Sequence, residues 1–140
     1  MTEKQNTPAE DVDLFEPDID LDFVSPVEQE HDGPPVAVIC GSTRFRAEIE
    51  AANHDLTLQG YIVLAPGVFV HSLPEGVEVD DEEKEALDRL HLRKIDMADV
   101  VMVLNPGGYI GRSTTTEIAY AHSLGKPVLF SEPDAVTENV

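Results

Sequence analysis

Four short apolar runs recur along the chain, each bounded by turn-forming residues. They are VAVIC (Val36–Cys40), YIVLA (residues 61–65), VVMVL (residues 100–104) and PVLF (residues 127–130). None alternates apolar with polar residues, so each reads as a strand buried on both faces, the habit of a parallel sheet. Parallel neighbours need a crossover, and the intervening segments carry helical periodicity. Phe45, Ile49, Ala52 and Leu56 space a helix over residues 44–58, ended by Gly60. Leu87, Leu90, Ile95 and Ala98 space a second over residues 80–98. Its acids come early and Arg89, Arg93 and Lys94 come late, as the helix dipole favours. A third covers residues 113–124 and stops at Gly125, while residues 67–79 read as a loop. This alternation predicts an α/β fold: a small doubly wound parallel sheet, flavodoxin-like or Rossmann-like, of four to five strands. Such sheets bind ligands at the carboxyl ends of their strands, where strand order reverses. Those ends are the loops after Cys40, Ala65, Leu104 and Phe130.

Residues 1–35 lack this pattern. Pro8, Pro17, Pro26, Pro34 and Pro35 interrupt them, and 11 acids stand against the single Lys4. The reading is a disordered acidic tail (residues 1–35) ahead of one α/β domain (residues 36–140). Within the tail, DLFEPDIDLDFV alternates acids with Leu14, Phe15, Ile19, Leu21, Phe23 and Val24. A solubilising linker is the favoured reading, and a segment that docks a protein partner is the second. The formal net charge is −19, and even the remainder carries 17 acids against 8 Lys and Arg. No basic cluster exists to neutralise a phosphate backbone, so duplex nucleic acid is not an expected partner. A small anionic ligand held by a few local donors is still admissible. No apolar run approaches the ~20 residues of a membrane helix, and the acidic N-terminus does not resemble a targeting peptide. A lone Cys40 excludes an internal disulfide framework. A cytoplasmic protein away from membranes is expected. No Cys/His spacing matches a zinc motif, so neither a metal nor a cofactor is expected.

Two loops could carry chemistry. Gly41-Ser42-Thr43-Arg44 follows the first strand and opens a helix. Backbone N–H groups at such a turn attract anions, helped by the two hydroxyls and Arg44. An ordinary capped turn explains the same residues. The second loop is NPGGYIGRSTTTE, with Gly107, Gly108 and Gly111 permitting close backbone approach and Ser113, Thr114, Thr115 and Thr116 crowding hydroxyls before Glu117. Thr114-x-x-Glu117 fits a capping box, in which the carboxylate only satisfies a backbone N–H. Alternatively Glu117 is a carboxylate kept ionised by the helix dipole and used as a nucleophile at a sugar carbon. Spacing alone leaves these two readings even. The expected topology sets both loops side by side.

The order VAVICGSTR, IDMADVVMVLNP, STTTEIAYAHSLGKPVLF resembles the nucleoside 2-deoxyribosyltransferase superfamily, which includes nucleoside 5′-monophosphate N-glycosidases. The resemblance covers about residues 36–130, and its most specific part is the Glu117 helix with Gly125-Lys126 at fixed offset. It implies a Glu117 nucleophile that attacks C1′ of a nucleoside or nucleotide, releasing the base and forming a glycosyl-enzyme. Water then completes a hydrolysis, or a second base a deoxyribosyl transfer. It implies that the Gly41–Ser42 loop and the loop up to Ser113 hold the sugar and a 5′-phosphate; the residues themselves offer Arg44 and Arg112 as candidate charge partners. It also implies a homodimer or larger assembly. The chain departs from the pattern twice. His91 stands where the family has an Asp eight residues before Asp99, so the proton donor is expected to be His91, with Asp96 or Asp88 as alternatives. Val38 replaces a first-strand Tyr, for which either Tyr109 of the glycine loop substitutes or nothing does. A module that kept the fold and binds nucleotides without turnover is the rival reading.

Overall fold

The computed structural model describes residues 31–135. The readings for residues 1–30, including the DLFEPDIDLDFV segment, lie outside the described residues. Strands and helices alternate as β1 (Val36–Cys40), α1 (Arg46–Leu58), β2 (Ile62–Leu64), α2 (Asp81–Met97), β3 (Val100–Val103), α3 (Arg112–Ser123) and β4 (Val128–Phe130). All neighbouring strands are parallel, in the order β2-β1-β3-β4. The fold is therefore the expected Rossmann-like α/β sheet, with four strands. The chain runs outward from β1 to β2 and then returns across β1 to β3. The carboxyl ends of β1 and β3 thus meet at the reversal of strand order, where this architecture opens a crevice.

Side-chain parity along the central strands divides the core. Ala37 and Ile39 of β1 pack with Val100 and Met102 of β3 against Ile49 and Leu56 of α1. Val38 and Cys40 pack with Val101 and Val103 against Ile95 and Ala98 at the α2 end and Ala121 of α3. The central strands β1 and β3 are buried on both faces, which explains their unbroken apolar sequences, whereas the edge strands β2 and β4 are only partly buried and Ile62 is 50% exposed.

Polar groups fasten the elements at their ends. A reciprocal capping box opens α2: Asp80 Oδ1 accepts from the Glu83 N–H at 2.8 Å, and Glu83 Oε1 accepts from the Asp80 N–H at 3.1 Å. The acids of residues 80–83 are thus a solvated helix start. Helix α3 closes on Gly125 at φ +73, a left-handed cap that favours glycine. The next residue, Lys126, donates from Nζ to the Ala98 and Asp96 carbonyls at 2.6 and 3.1 Å, which satisfies the open end of α2. The Asp99 carboxylate accepts from the Val36 N–H at 2.7 Å and lies 2.9 Å from His31 Nε2, joining the starts of β1 and β3. Among the described residues no helix is long and apolar enough to cross a membrane.

The structure differs from the sequence reading in three places. Helix α1 begins at Arg46, and Phe45 occupies the capping position before it. A 3₁₀ turn, Val70–Ser72, interrupts the segment over residues 67–79. Leu90 is 59% exposed, whereas His91 is buried. Position 91 is one turn before the fully buried Ile95, so helix geometry points the polar ring inward in place of Leu90.

Gly41 is the tightest joint at the switch. A Cβ there would lie 3.0 Å from the Leu104 carbonyl oxygen and 3.3 Å from Leu104 Cβ. Neither atom can swing aside without parting β1 from β3. Gly41→Ala should lower stability by about 1–3 kcal/mol, read as a reduced urea midpoint. Gly67→Ala, where an added Cβ meets nothing within 4 Å, is the near-neutral control.

Candidate functional site at the strand switch point

Three elements converge on one polar cluster. Cys40 ends β1 with its side chain on the α2/α3 face. The middle of α2 contributes His91, and α3 contributes Glu117. Cys40 Sγ lies 3.5 Å from His91 Nε2, and that nitrogen lies 4.0 Å from Glu117 Oε1. The three ligand-type atoms all fall within 4.8 Å of one another. Cys40 is fully buried, His91 is 7% exposed and Glu117 is 9% exposed.

Glu117 does not cap its helix. Helix α3 starts at Arg112 behind Gly111, and no side chain caps it. The Thr114–Glu117 capping box, one of the two readings the spacing allowed, is therefore not formed. Glu117 sits in the second turn, on the buried stripe with Thr114 and Ala121. Thr115 instead returns its hydroxyl to the Gly111 carbonyl at 2.9 Å.

Burial governs the electrostatics. It pushes Glu117 up to about 7; nearby Asp88 pushes the same way, while the Cys40 thiol and Lys84 oppose it. This corrects the expectation of a carboxylate held ionised by the helix dipole, because desolvation outweighs the dipole beyond the first turn. Burial, then Lys94, lowers His91 to about 4, against the Ile39 carbonyl and Asp88. The ring is thus neutral near pH 7. Burial, then Glu117, raises the Cys40 thiol well above its usual range. Both close approaches to the ring use Nε2, so the imidazole is not a relay between a nucleophile on one nitrogen and an acid on the other. Sulfur, nitrogen and oxygen instead face a common point.

The two glycine-bearing loops do meet above this cluster's edge of the sheet. The Arg44 guanidinium lies over the Tyr109 ring at 4.5 Å, and Phe45 meets the same ring edge-on with centroids 5.9 Å apart. Thr43 Oγ1 is 3.1 Å from His71 Nδ1, and Ser42 Oγ accepts from the Arg44 N–H at 3.3 Å. The glycines serve internal contacts. Gly107 and Gly108 have φ of +64 and +83, and a Cβ on Gly108 would stand 3.0 Å from Ala135 Cβ. A Cβ on Gly111 would stand 3.3 Å from the Tyr109 hydroxyl. Ser113 accepts from Lys84 Nζ at 3.4 Å, and that Lys84 is 3.5 Å from Asp88 Oδ1. Thr114 is buried beneath them. Asp96 is engaged elsewhere: Tyr120 donates to it at 2.6 Å and Arg93 at 3.4 Å, and the Tyr120 bond holds its carboxyl below the usual range. A surface hollow of about 420 Å³ is lined by Val70, His71, Leu73, Val77, Glu78 and Val79. It touches the Thr43 loop through His71 but includes none of the three clustered donors.

Two residues escaped the sequence reading. Cys40 looked like the last apolar residue of a strand, and 51 positions separate it from His91. Asn105 is wholly buried. Its Oδ1 accepts from the Glu132 N–H at 2.9 Å and from Ser131 Oγ at 3.0 Å, and its Nδ2 donates to the Glu132 carbonyl at 3.0 Å. It laces the loop after β3 to the loop after β4. An amide at the end of a fully apolar run was the available clue.

A family model described as a domain of unknown function, DUF4406, matches residues 38–130. The chain belongs to the DUF4406 family. The part of this DUF4406 domain that matches contains Cys40, His91, Asn105 and Glu117 and stops short of the acidic segment. No curated protein matches the chain.

Asn105→Ala would leave the Glu132 N–H and carbonyl without their partners, at a cost of about 1–3 kcal/mol. The expected result is a lower thermal midpoint with faster amide exchange at Gly107 and Gly108.

Proposed function

We propose that this DUF4406 domain hydrolyses the N-glycosidic bond of a nucleoside 5′-monophosphate, with Glu117 as the nucleophile. The observation that carries the reading is the state of Glu117. It is buried at the switch point, it caps nothing, and its Oε1 has no hydrogen-bond partner among the described residues. A buried carboxylate oxygen without a hydrogen-bond partner costs stability, and a carboxyl so perturbed in a cleft is a functional-site candidate. The resemblance of the chain to the deoxyribosyltransferase superfamily supports the same residue.

In this reading an ionised Glu117 oxygen attacks C1′. The C1′–N bond breaks, its electron pair leaves with the base, and the base gains a proton. A glycosyl ester remains on Glu117. Water then attacks C1′, freeing the sugar phosphate and the carboxylate. A neutral His91 is a weak proton donor, and Asp96 is held by Tyr120 and Arg93. Asp88, which acts on both His91 and Glu117 and lies 3.5 Å from Lys84, is the remaining candidate to pass the proton. The preference for a 5′-phosphate rests on the start of α3. No side chain among the described residues caps it, and the N-terminus of a helix attracts an anion. Glu117 follows Arg112 by five residues, about 7.5 Å along the axis, the scale of a pentose 5-phosphate. Transfer of the sugar to a second base uses the same nucleophile and is the runner-up. A nucleotide-binding module without turnover is favoured by the substituted positions His91 and Val38 and by the upward shift of Glu117, which leaves much of it protonated near pH 7.

The test is chromatography of free base from a panel of ribo- and deoxyribonucleosides and their monophosphates. Glu117→Gln should cut base release on the order of 10³-fold or more while melting like the wild type. Asp88→Asn should slow ordinary substrates yet spare an N7-alkylated purine nucleotide, whose base leaves without protonation. Equal rates on nucleosides and monophosphates would remove the phosphate preference. No release from any member would leave the binding module.

A further inference from the structure

We infer that Cys40, His91 and Glu117 form a three-ligand site for a thiophilic divalent cation of the zinc class. The donor set is the first argument. A sulfur, an imidazole nitrogen and a carboxylate oxygen together select zinc-like ions over magnesium or calcium, which prefer oxygen alone. Geometry is the second. Ligand atoms on a tetrahedral zinc stand about 3.4–3.6 Å apart, given bond lengths near 2.0–2.3 Å. The Sγ to Nε2 separation is 3.5 Å already. The Nε2 to Oε1 separation of 4.0 Å and the Sγ to Oε1 separation, within 4.8 Å, both close toward that range if the Glu117 side chain turns inward. Glu117 Oε1 is not committed to any hydrogen bond among the described residues. The Ile39 carbonyl accepts from the His91 ring, the kind of backbone partner that orients a ligating imidazole.

Charge is the third argument. A dication with one thiolate, one carboxylate and one neutral imidazole sums to zero, so the loaded cluster is neutral where burial penalises net charge. Three protein ligands leave a fourth position for water or an incoming ligand, the ligand count of catalytic zinc sites. The site does not depend on the glycosidase reading, but it shares Glu117 with it. A bound cation would hold the carboxylate lone pair away from C1′ and would act as a reversible inhibitor.

The experiment uses the reduced full chain and Co²⁺ as the probe. Cys40 is the only cysteine in the sequence, so a sulfur-to-cobalt charge-transfer band in the near ultraviolet reports this site alone. Carboxylates of the acidic N-terminal segment cannot produce it. The expected result is a band that saturates at one Co²⁺ per chain, is bleached by Zn²⁺, and is lost in Cys40→Ser. His91→Gln should weaken zinc binding at least about tenfold. No band from the wild type, a band surviving in Cys40→Ser, or unchanged affinity in His91→Gln would overturn the site. Should either variant fail to fold, the wild-type band and its bleaching decide alone. Base release is measured in parallel with and without zinc. Cobalt binding without base release keeps the site and removes the glycosidase. Base release without cobalt binding does the reverse.

Discussion

The side-chain parity of β1 is the constraint on which the site depends. Ala37 and Ile39 face α1, so Val38 and Cys40 must face α2 and α3. A slip of one residue in the pairing of β1 with β3 would turn Cys40 to the other layer and dissolve the cluster. The pairing is held from both ends. Asp99 ties the starts of the two strands, and the contact of Gly41 with Leu104 seats their carboxyl ends. The thiol therefore reaches the helical face at the depth where α2 presents His91 and α3 presents Glu117.

That convergence runs against stability. Burial disfavours the charged form of all three groups: it raises Glu117 and Cys40 and lowers His91. An apolar residue at any of these positions would pack against the sheet without desolvating a titratable group. Neighbouring buried positions in the same layer, Ile95, Ala98 and Ala121, are apolar. The polar cluster is thus confined to the carboxyl end of β1, where the strand order reverses. Both the nucleophile reading and the cation reading draw on that cluster, in which Cys40 and His91 hydrogen-bond each other and Glu117 Oε1 has no partner among the described residues.

The loops around the cluster are tied to one another and to the helices. Asn105 saturates the turn after β4, Arg44 and Phe45 close on Tyr109, and Lys84 bridges Asp88 to Ser113. The glycines that suggested close approach of a ligand are used first for the chain's own approach to Ala135 and to the Tyr109 hydroxyl. What remains open toward a ligand is the uncapped start of α3, directly upstream of Glu117. This places a candidate anion site and the carboxylate on one helix.

The sequence by itself determined the layers. Continuous apolar runs and 3.6-residue periodicity are local properties, so the strands, the three helices and the parallel α/β class were legible, as was the convergence of the loops after β1 and β3. Glu117 was legible as a candidate, but its role was not, because a capping box and a buried carboxylate share one local pattern. Only the tertiary structure decided between them, by starting α3 at Arg112 and turning Glu117 onto the sheet. It also decided that His91, not Leu90, points inward, since the phase of a helix is set by what it packs against. The cluster of Cys40 with His91 and Glu117 was invisible for the same reason. Its members are far apart in the chain, and only strand parity and helix phase together bring their lone pairs to one point.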